Sequence, residues 1–271
     1  MEKQRSESLM KVAFLLHGKI GGIAGKDGAG KLIDYRFCRD KFYKNIIEPS
    51  NADVFIHSWS KEQENDLMKI YSPKKAIIEE QRQFKFDESL PWLGGKTRAP
   101  VRNFLVKSRF YSSQQAMKLK REYEKENNFR YDFVMITRYD LIWLTPIDLK
   151  ELDSDNFYIS KINKVNHKRK TVSPHWIKTH HPKSTRYNDT YFLSNSKFMD
   201  YYGDAFDMLS NVNVGDPHLL LFAYLNENKE IKNRIVLKYL NYFDHDVYRR
   251  RVESYENGVT ILKENFKITG V

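Results

Sequence analysis

The chain has one cysteine, Cys38, in 271 residues. That excludes a disulfide framework and makes a reducing compartment the expected setting. No run of about 18 apolar residues occurs, so no membrane-spanning helix is predicted. The opening MEKQRSESLMK is polar and has no apolar signal core, which points away from secretion by that route and towards the cytoplasm. No C-x-x-C or H-x-x-x-H pair is present, so a zinc site has no support. The G-x-S-x-G elbow of serine hydrolases is missing too. Glycine is scarce, at 12 residues, yet half of them crowd between positions 18 and 30.

That crowding contains GKDGAGK at 25–31, which fits G-x-x-x-x-G-K, the phosphate-cradling loop of nucleotide hydrolases. The pattern then requires Ser or Thr for magnesium, and position 32 is Leu. The loop also stands too far beyond the apolar run VAFLLHG to leave its strand directly. The stretch GKIGGIAGKDGAGK is instead expected to be a flexible loop near a nucleotide or diphosphate, offering backbone N–H groups and lysine charge. Gly18, Gly21 and Gly22 are its candidate contacts. A plain glycine-rich surface loop is the simpler alternative.

Aromatic residues make up 14% and hydrophobic residues 41% of the chain, too many for a disordered protein. The net charge is +11. A nucleic acid, a phosphorylated small ligand or an anionic membrane surface would each suit it, as would a merely soluble basic surface. Basic residues concentrate at 161–186 and in YRRR at 248–251. The first stretch lacks apolar periodicity and is predicted to be a long inserted loop, expected to act as a lid.

Apolar runs predict strands at 11–17, 53–58, 76–79, 131–137, 157–159 and 191–194, with edge strands at 235–239 and near 247. Helical spacing predicts helices at 32–48, 61–70, 101–127, 196–210 and 217–228, and residues 81–97 read as a loop. Strands alternating with helices imply one α/β domain over 1–271 with a mostly parallel sheet, residues 1–10 being a flexible terminus. Such sheets take ligands at the carboxyl ends of their strands. The positions of interest are then His17-Gly18, His57-Ser58-Trp59 and Arg138-Tyr139-Asp140.

YDFVMITRYDLIW, at 131–143, carries the most information. A polar triplet between apolar segments needs partners. A structural Arg–Asp pair would satisfy it. So would a divalent cation on Asp140 bound to a diphosphate, since hard cations share carboxylate and phosphate oxygens.

This arrangement resembles the sugar-nucleotide-dependent glycosyltransferases of GT-A fold. In that fold an apolar strand ends in D-x-D, whose last Asp holds the metal. The R-x-D form found here resembles a group of bacterial and viral surface-glycan enzymes. KVAFLLHGKIGG, NADVFIHSWS, YSPKKAIIEEQRQF, the stretch from SRFYSSQQ to MITRYDL, NDTYFLSNSKFMDYY and PHLLLFAYL follow in the family's order over most of 11–250. The resemblance implies a GT-A-like fold and a UDP-sugar donor (hexose or xylose). It implies a glycan hydroxyl as acceptor and a Mn²⁺ or Mg²⁺ ion at Asp140. Donor contacts would come from His17, His57, Arg138, Tyr139 and Asp140. A further metal ligand would be a histidine of the C-terminal part, with His245 first and His218 second. Arg138 replaces the first Asp, and its planar fork can neutralise diphosphate directly, so metal dependence is open.

Asp189, just before the strand at 191–194, stands where an inverting enzyme places the base that takes the acceptor's proton. Asp216 is the fallback. Capping the turn is the structural alternative for Asp189. Cys38, among aromatics in a helix, is expected in the core. No RNA-binding aromatic signature is present, so nucleic acid is not the expected partner, and peripheral attachment to a membrane would fit the charge. The rival functions are a basic nucleic-acid-binding protein and a P-loop-like phosphotransferase.

Overall fold

Each apolar run of the first half becomes a strand. The computed structural model describes residues 10–20, 35–94, 99–143, 146–160 and 186–237, and the backbone alone at 163–166, 171–174, 238, 245–247 and 267–268. Strands β1 (Val12–Gly18), β2 (Asp53–Ser58) and β3 (Lys75–Ile78) alternate with helices α1 (Tyr35–Phe42), α2 (Glu48–Ser50) and α3 (Glu64–Tyr71). A π-helical turn at Tyr43–Ile47 joins α1 to α2. The short β4 (Trp92–Leu93) precedes the long α4 (Ala99–Glu126). Next come β5 (Phe133–Arg138), β6 (Leu141–Trp143), β7 (Phe157–Ser160), β8 (Asn163–Asn166) and β9 (Thr171–Pro174). Then follow β10 (Tyr191–Ser194), α5 (Ser196–Gly203), β11 (Asn213–Val214), α6 (Pro217–Glu227), α7 (Lys229–Lys232), β12 (Ile235–Lys238), β13 (His245–Val247) and β14 (Lys267–Ile268).

Seven strands form the central sheet in the order β12-β7-β10-β5-β1-β2-β3. Neighbours run parallel except at β10, which is antiparallel to both β5 and β7. The α/β class and the mostly parallel sheet are as the sequence predicts. The near-continuous apolar character of β1 follows from burial on both faces. Alternation sends Phe14, Leu16, Ile56 and Met135 to one face, where Cys38, Phe42 and Ile46 pack. Ala13, Leu15, Phe55, Val134 and Ile136 face the other way, onto Val106, Phe110 and Met117 of α4. Cys38 is thus a buried core residue, as expected. Among the described residues no helix is long and apolar enough to cross a membrane.

Several expectations need correction. The basic stretch is not one loop, because β8 and β9 pair antiparallel within it, with Val165 opposite Val172, and β14 adds to β9. One valine per strand leaves no apolar pattern to read. The rest of 161–185 lies outside the described residues, as do 21–34 and 248–251. The segment 196–210 is helical only to Gly203 and then tightens to a 3₁₀ turn at Asp204–Ser210. The supposed loop at 81–97 contributes β4, which pairs with β11. Behind Asp140 the chain resumes as β6, paired with β13.

Candidate functional site

β1 and β5 are neighbours, yet the chain reaches β5 only after running outward through β2 and β3. That reversal is a topological switch point, and the crevice beyond the carboxyl ends of such strands is where α/β sheets bind ligands. His17 lies opposite Arg138 on one side and opposite His57 on the other. Because β10 runs against its neighbours, its amino end meets the same edge, with Tyr191 opposite Thr137. Asp189 is therefore delivered to Arg138.

β5 ends in a tight turn through Tyr139 and Asp140. Arg138 grips Asp140 with a two-pronged fork, Nε to Oδ1 at 2.7 Å and Nη2 to Oδ2 at 2.6 Å. Tyr139 is buried, and its hydroxyl donates weakly to the His57 carbonyl at 3.4 Å. Arg109, from α4, donates to the Asp189 carboxylate and to the Asp189 carbonyl. Arg138 Nη1 and His218 Nδ1 each stand 3.9 Å from Asp189 Oδ1. His218 Nδ1 is also 2.8 Å from the Tyr187 carbonyl, so this nitrogen carries a proton. Burial works to raise the Asp189 pKa, but Arg109, His218 and Arg138 outweigh it and hold it down to about 2.

A second layer lies behind these charges. His17 is buried, with Nδ1 3.3 Å from Ser113 Oγ. Burial first, then the positive charge of Arg109 and Arg138, pushes its pKa well below the ordinary value, so it stands neutral. Beside it runs a chain of hydrogen bonds. Gly18 N–H donates to Ser112 Oγ at 2.8 Å, Ser112 Oγ lies 2.6 Å from His57 Nδ1, and His57 Nε2 lies 3.2 Å from Glu79 Oε1. The ionised Glu79 carboxylate can only accept, so Nε2–H donates to it and Nδ1 of the neutral ring accepts the Ser112 hydroxyl proton. Burial lowers the His57 pKa to about 4 against the opposing pull of Glu79. Gly18 itself has φ +105°, in the left-handed region that glycine tolerates best. Its carbonyl accepts from Trp59 N–H at 3.1 Å. The turn that leads out of β1 is thus held from both sides.

No family model matches the chain, and no curated protein matches it. Among solved structures, the inositol-1-phosphate CTP transferase from T. maritima aligns over 96% of this chain and 99% of its own, at 10% identity and a TM-score of 0.43. A similarity at that score assigns neither fold nor function.

The edge therefore gathers His17, Gly18, Arg138, Tyr139, Asp140 and Asp189, with His57 one layer behind. Gly21 and Gly22 lie outside the described residues. The backbone of His245 stands opposite Trp143, three residues past Asp140, about 10 Å along a strand; its side chain is outside the described residues. Asp216 is the N-cap of α6, accepting from His218 N–H at 3.0 Å and Leu219 N–H at 3.2 Å, and it pairs with Arg186 at 2.8 Å. Among the described residues no three His, Cys, Asp or Glu side chains converge on a cation position. Both oxygens of Asp140 face the Arg138 guanidinium, so the donor set that the described residues form does not fit a divalent cation.

Arg109, Ser112, Ser113 and Glu79 are the residues that sequence reasoning missed. A signal existed for three of them. Residues 109, 112 and 113 share one helical face, and polar side chains there interrupt the apolar residues Phe110, Ala116 and Met117 that α4 buries.

Proposed function

We propose that this protein is a glycosyltransferase that takes a sugar from a nucleotide diphosphate, a UDP-hexose or UDP-xylose, and gives it to a glycan hydroxyl with inversion. The observation that carries the reading is the meeting of two arginines and two carboxylates at the sheet's switch point, on an R-x-D turn that resembles the GT-A motif. In the reaction the bond from the sugar's anomeric carbon to the diphosphate oxygen breaks, and the nucleoside diphosphate leaves with that electron pair. The acceptor oxygen bonds to the same carbon and loses its proton. Arg138 and Arg109 suit the first event, because fixed cations stabilise charge that develops on a leaving phosphate. Asp189 suits the second, as base or as a hydrogen-bond acceptor orienting the hydroxyl. A positioned base contributes roughly 10²–10⁴-fold. Held at about 2 by its arginines, Asp189 is a weak base in the resting arrangement. It gains basicity only if Arg109 moves off it.

The test is a donor panel. Purified protein with UDP-, GDP-, dTDP- and CMP-sugars should release nucleotide from one class, and that nucleotide should raise the melting temperature. If no sugar nucleotide is turned over, while RNA or DNA stabilises the protein with steep salt dependence, the net charge was the guide and the transferase reading is wrong.

A further inference from the structure

We propose that Arg138 and Arg109 are themselves the diphosphate receptors, that Asp140 and Asp189 are counter-ions which the incoming diphosphate displaces, and that no divalent cation is required. This rests on the nucleotide-diphosphate reading above. Guanidinium forks fit phosphate oxygens as they fit carboxylates. In the structure each arginine already spends its charge on a carboxylate at the edge where ligands arrive. Arg138 serves two of them, forked on Asp140 and 3.9 Å from Asp189. The Arg109 guanidinium also lies against the Tyr202 hydroxyl, yet its buried Nε makes no well-aligned hydrogen bond among the described residues. A buried donor left unsatisfied is costly, and a phosphate oxygen would satisfy it. A cation at the same place would instead have to share the Asp140 oxygens with the Arg138 fork, against the charge of that guanidinium.

The exchange has a chemical consequence for the order of events. A diphosphate that draws Arg109 away leaves Asp189 without its strongest counter-charge, so the carboxylate becomes basic only once the donor is seated. An acceptor arriving first meets a carboxylate locked to Arg109. Donor binding therefore arms the base.

Calorimetry with UDP, and separately with inorganic pyrophosphate, tests the proposal in EDTA and in manganese. Wild-type protein is expected to bind UDP in EDTA, with manganese changing the affinity by less than about threefold, a shift well under one hydrogen bond to a charged group. Arg138→Gln should weaken binding by roughly tenfold to a hundredfold. Asp140→Asn removes a competitor for Arg138 and should tighten UDP by several-fold. A metal-ligating Asp140 predicts the opposite sign. If Asp140→Asn does not fold, as a melting curve will show, Asp189→Asn carries the same test of sign through Arg109. Binding only in manganese, lost in Asp140→Asn, overturns the exchange and leaves the transferase reading standing. Pyrophosphate binding in EDTA without any binding of UDP, GDP, CDP or ADP supports the arginine site and overturns the nucleotide reading. Failure of every diphosphate in both buffers overturns both.

Discussion

α4 carries two charge clusters with opposite characters. Near its middle, Arg109 meets Asp189 at the edge of the sheet. Towards its end, Lys120 is 0% exposed and its ammonium reaches Glu124 at 2.9 Å, Asp200 at 2.7 Å and Ser196. Arg121 and Arg130 add further contacts to Asp200 from outside. All three donor sites of the Lys120 ammonium are used, and the partners come from both α4 and α5. That cluster is closed, a polar clasp between two helices. The edge cluster is open: among the described residues one donor of Arg109 has no well-aligned partner, and two of its charge pairs are 3.9 Å apart. Clusters of paired basic and acidic residues thus do different work according to whether their hydrogen-bonding capacity is filled, and an unfilled cluster at a strand-end crevice is the one that can receive a ligand.

The comparison breaks most sharply at Asp189. Asp189→Asn should cut the single-turnover transfer rate by roughly 10²–10⁴, if the product anomer is inverted, beyond the drop in melting temperature that losing its pairing with Arg109 brings. An inverted product with an unimpaired variant would remove Asp189 from the chemistry. The clasp should show the reverse pattern. Lys120→Met leaves the buried Glu124 without its ammonium and Asp200 with Arg121 and Arg130 alone, and should cost up to about 3 kcal/mol by urea denaturation. Nucleotide affinity of the folded variant should be unchanged, and a loss of affinity equal to that of Arg138→Gln would erase the distinction.

His57 offers a smaller effect with a defined direction. Its folded pKa, about 4, lies below the ordinary value of 6.5, so the unfolded chain takes up the proton first as pH falls. The stability that the neutral ring contributes is complete above about 6.5 and is lost as pH drops to about 4, a loss of about 3 kcal/mol. Denaturation of His57→Gln over the same range should lack that slope, and an equal slope in both proteins would assign it to other groups. The smallest expected change is Gly18→Ala. No described residue stands within 4 Å of the added methyl, so the strain falls on the left-handed backbone, at about 1–2 kcal/mol of unfolding free energy. A neutral result would show that the turn relaxes despite its bonds to Ser112 and Trp59.

The strands that build the crevice were legible because burial on both faces writes a plain apolar run, as in β1, β2, β5 and β10. Arg138 and Asp140 were legible for the related reason that charge straight after such a run is conspicuous. Arg109 was only half legible: it shares a helical face with Ser112 and Ser113, but one arginine in a basic helix looks like any other until the fold sets Asp189 against it. The chain from Glu79 to Gly18 joins three elements whose register no local pattern encodes. The hairpin at β8 and β9 stayed hidden because backbone pairing, with little apolar content, holds it.

The reversed direction of β10 decides which part of the chain is free to vary. The crevice is walled by the exits of β1 and β5 but by the threshold of β10, so the segment before β10 must finish at the crevice. Its last residues are tied down there, with Asn188 donating to Ser160 and to Thr190 Oγ1 at 3.0 Å, and Thr137 donating to the Thr190 carbonyl at 3.1 Å. β8 and β9, which lie between β7 and that mooring in the chain, pair outside the central sheet and set none of its registers. A change of length or composition in the stretch between β7 and that mooring therefore leaves the pairing at the crevice, from β1 through β5 to β10, as it is.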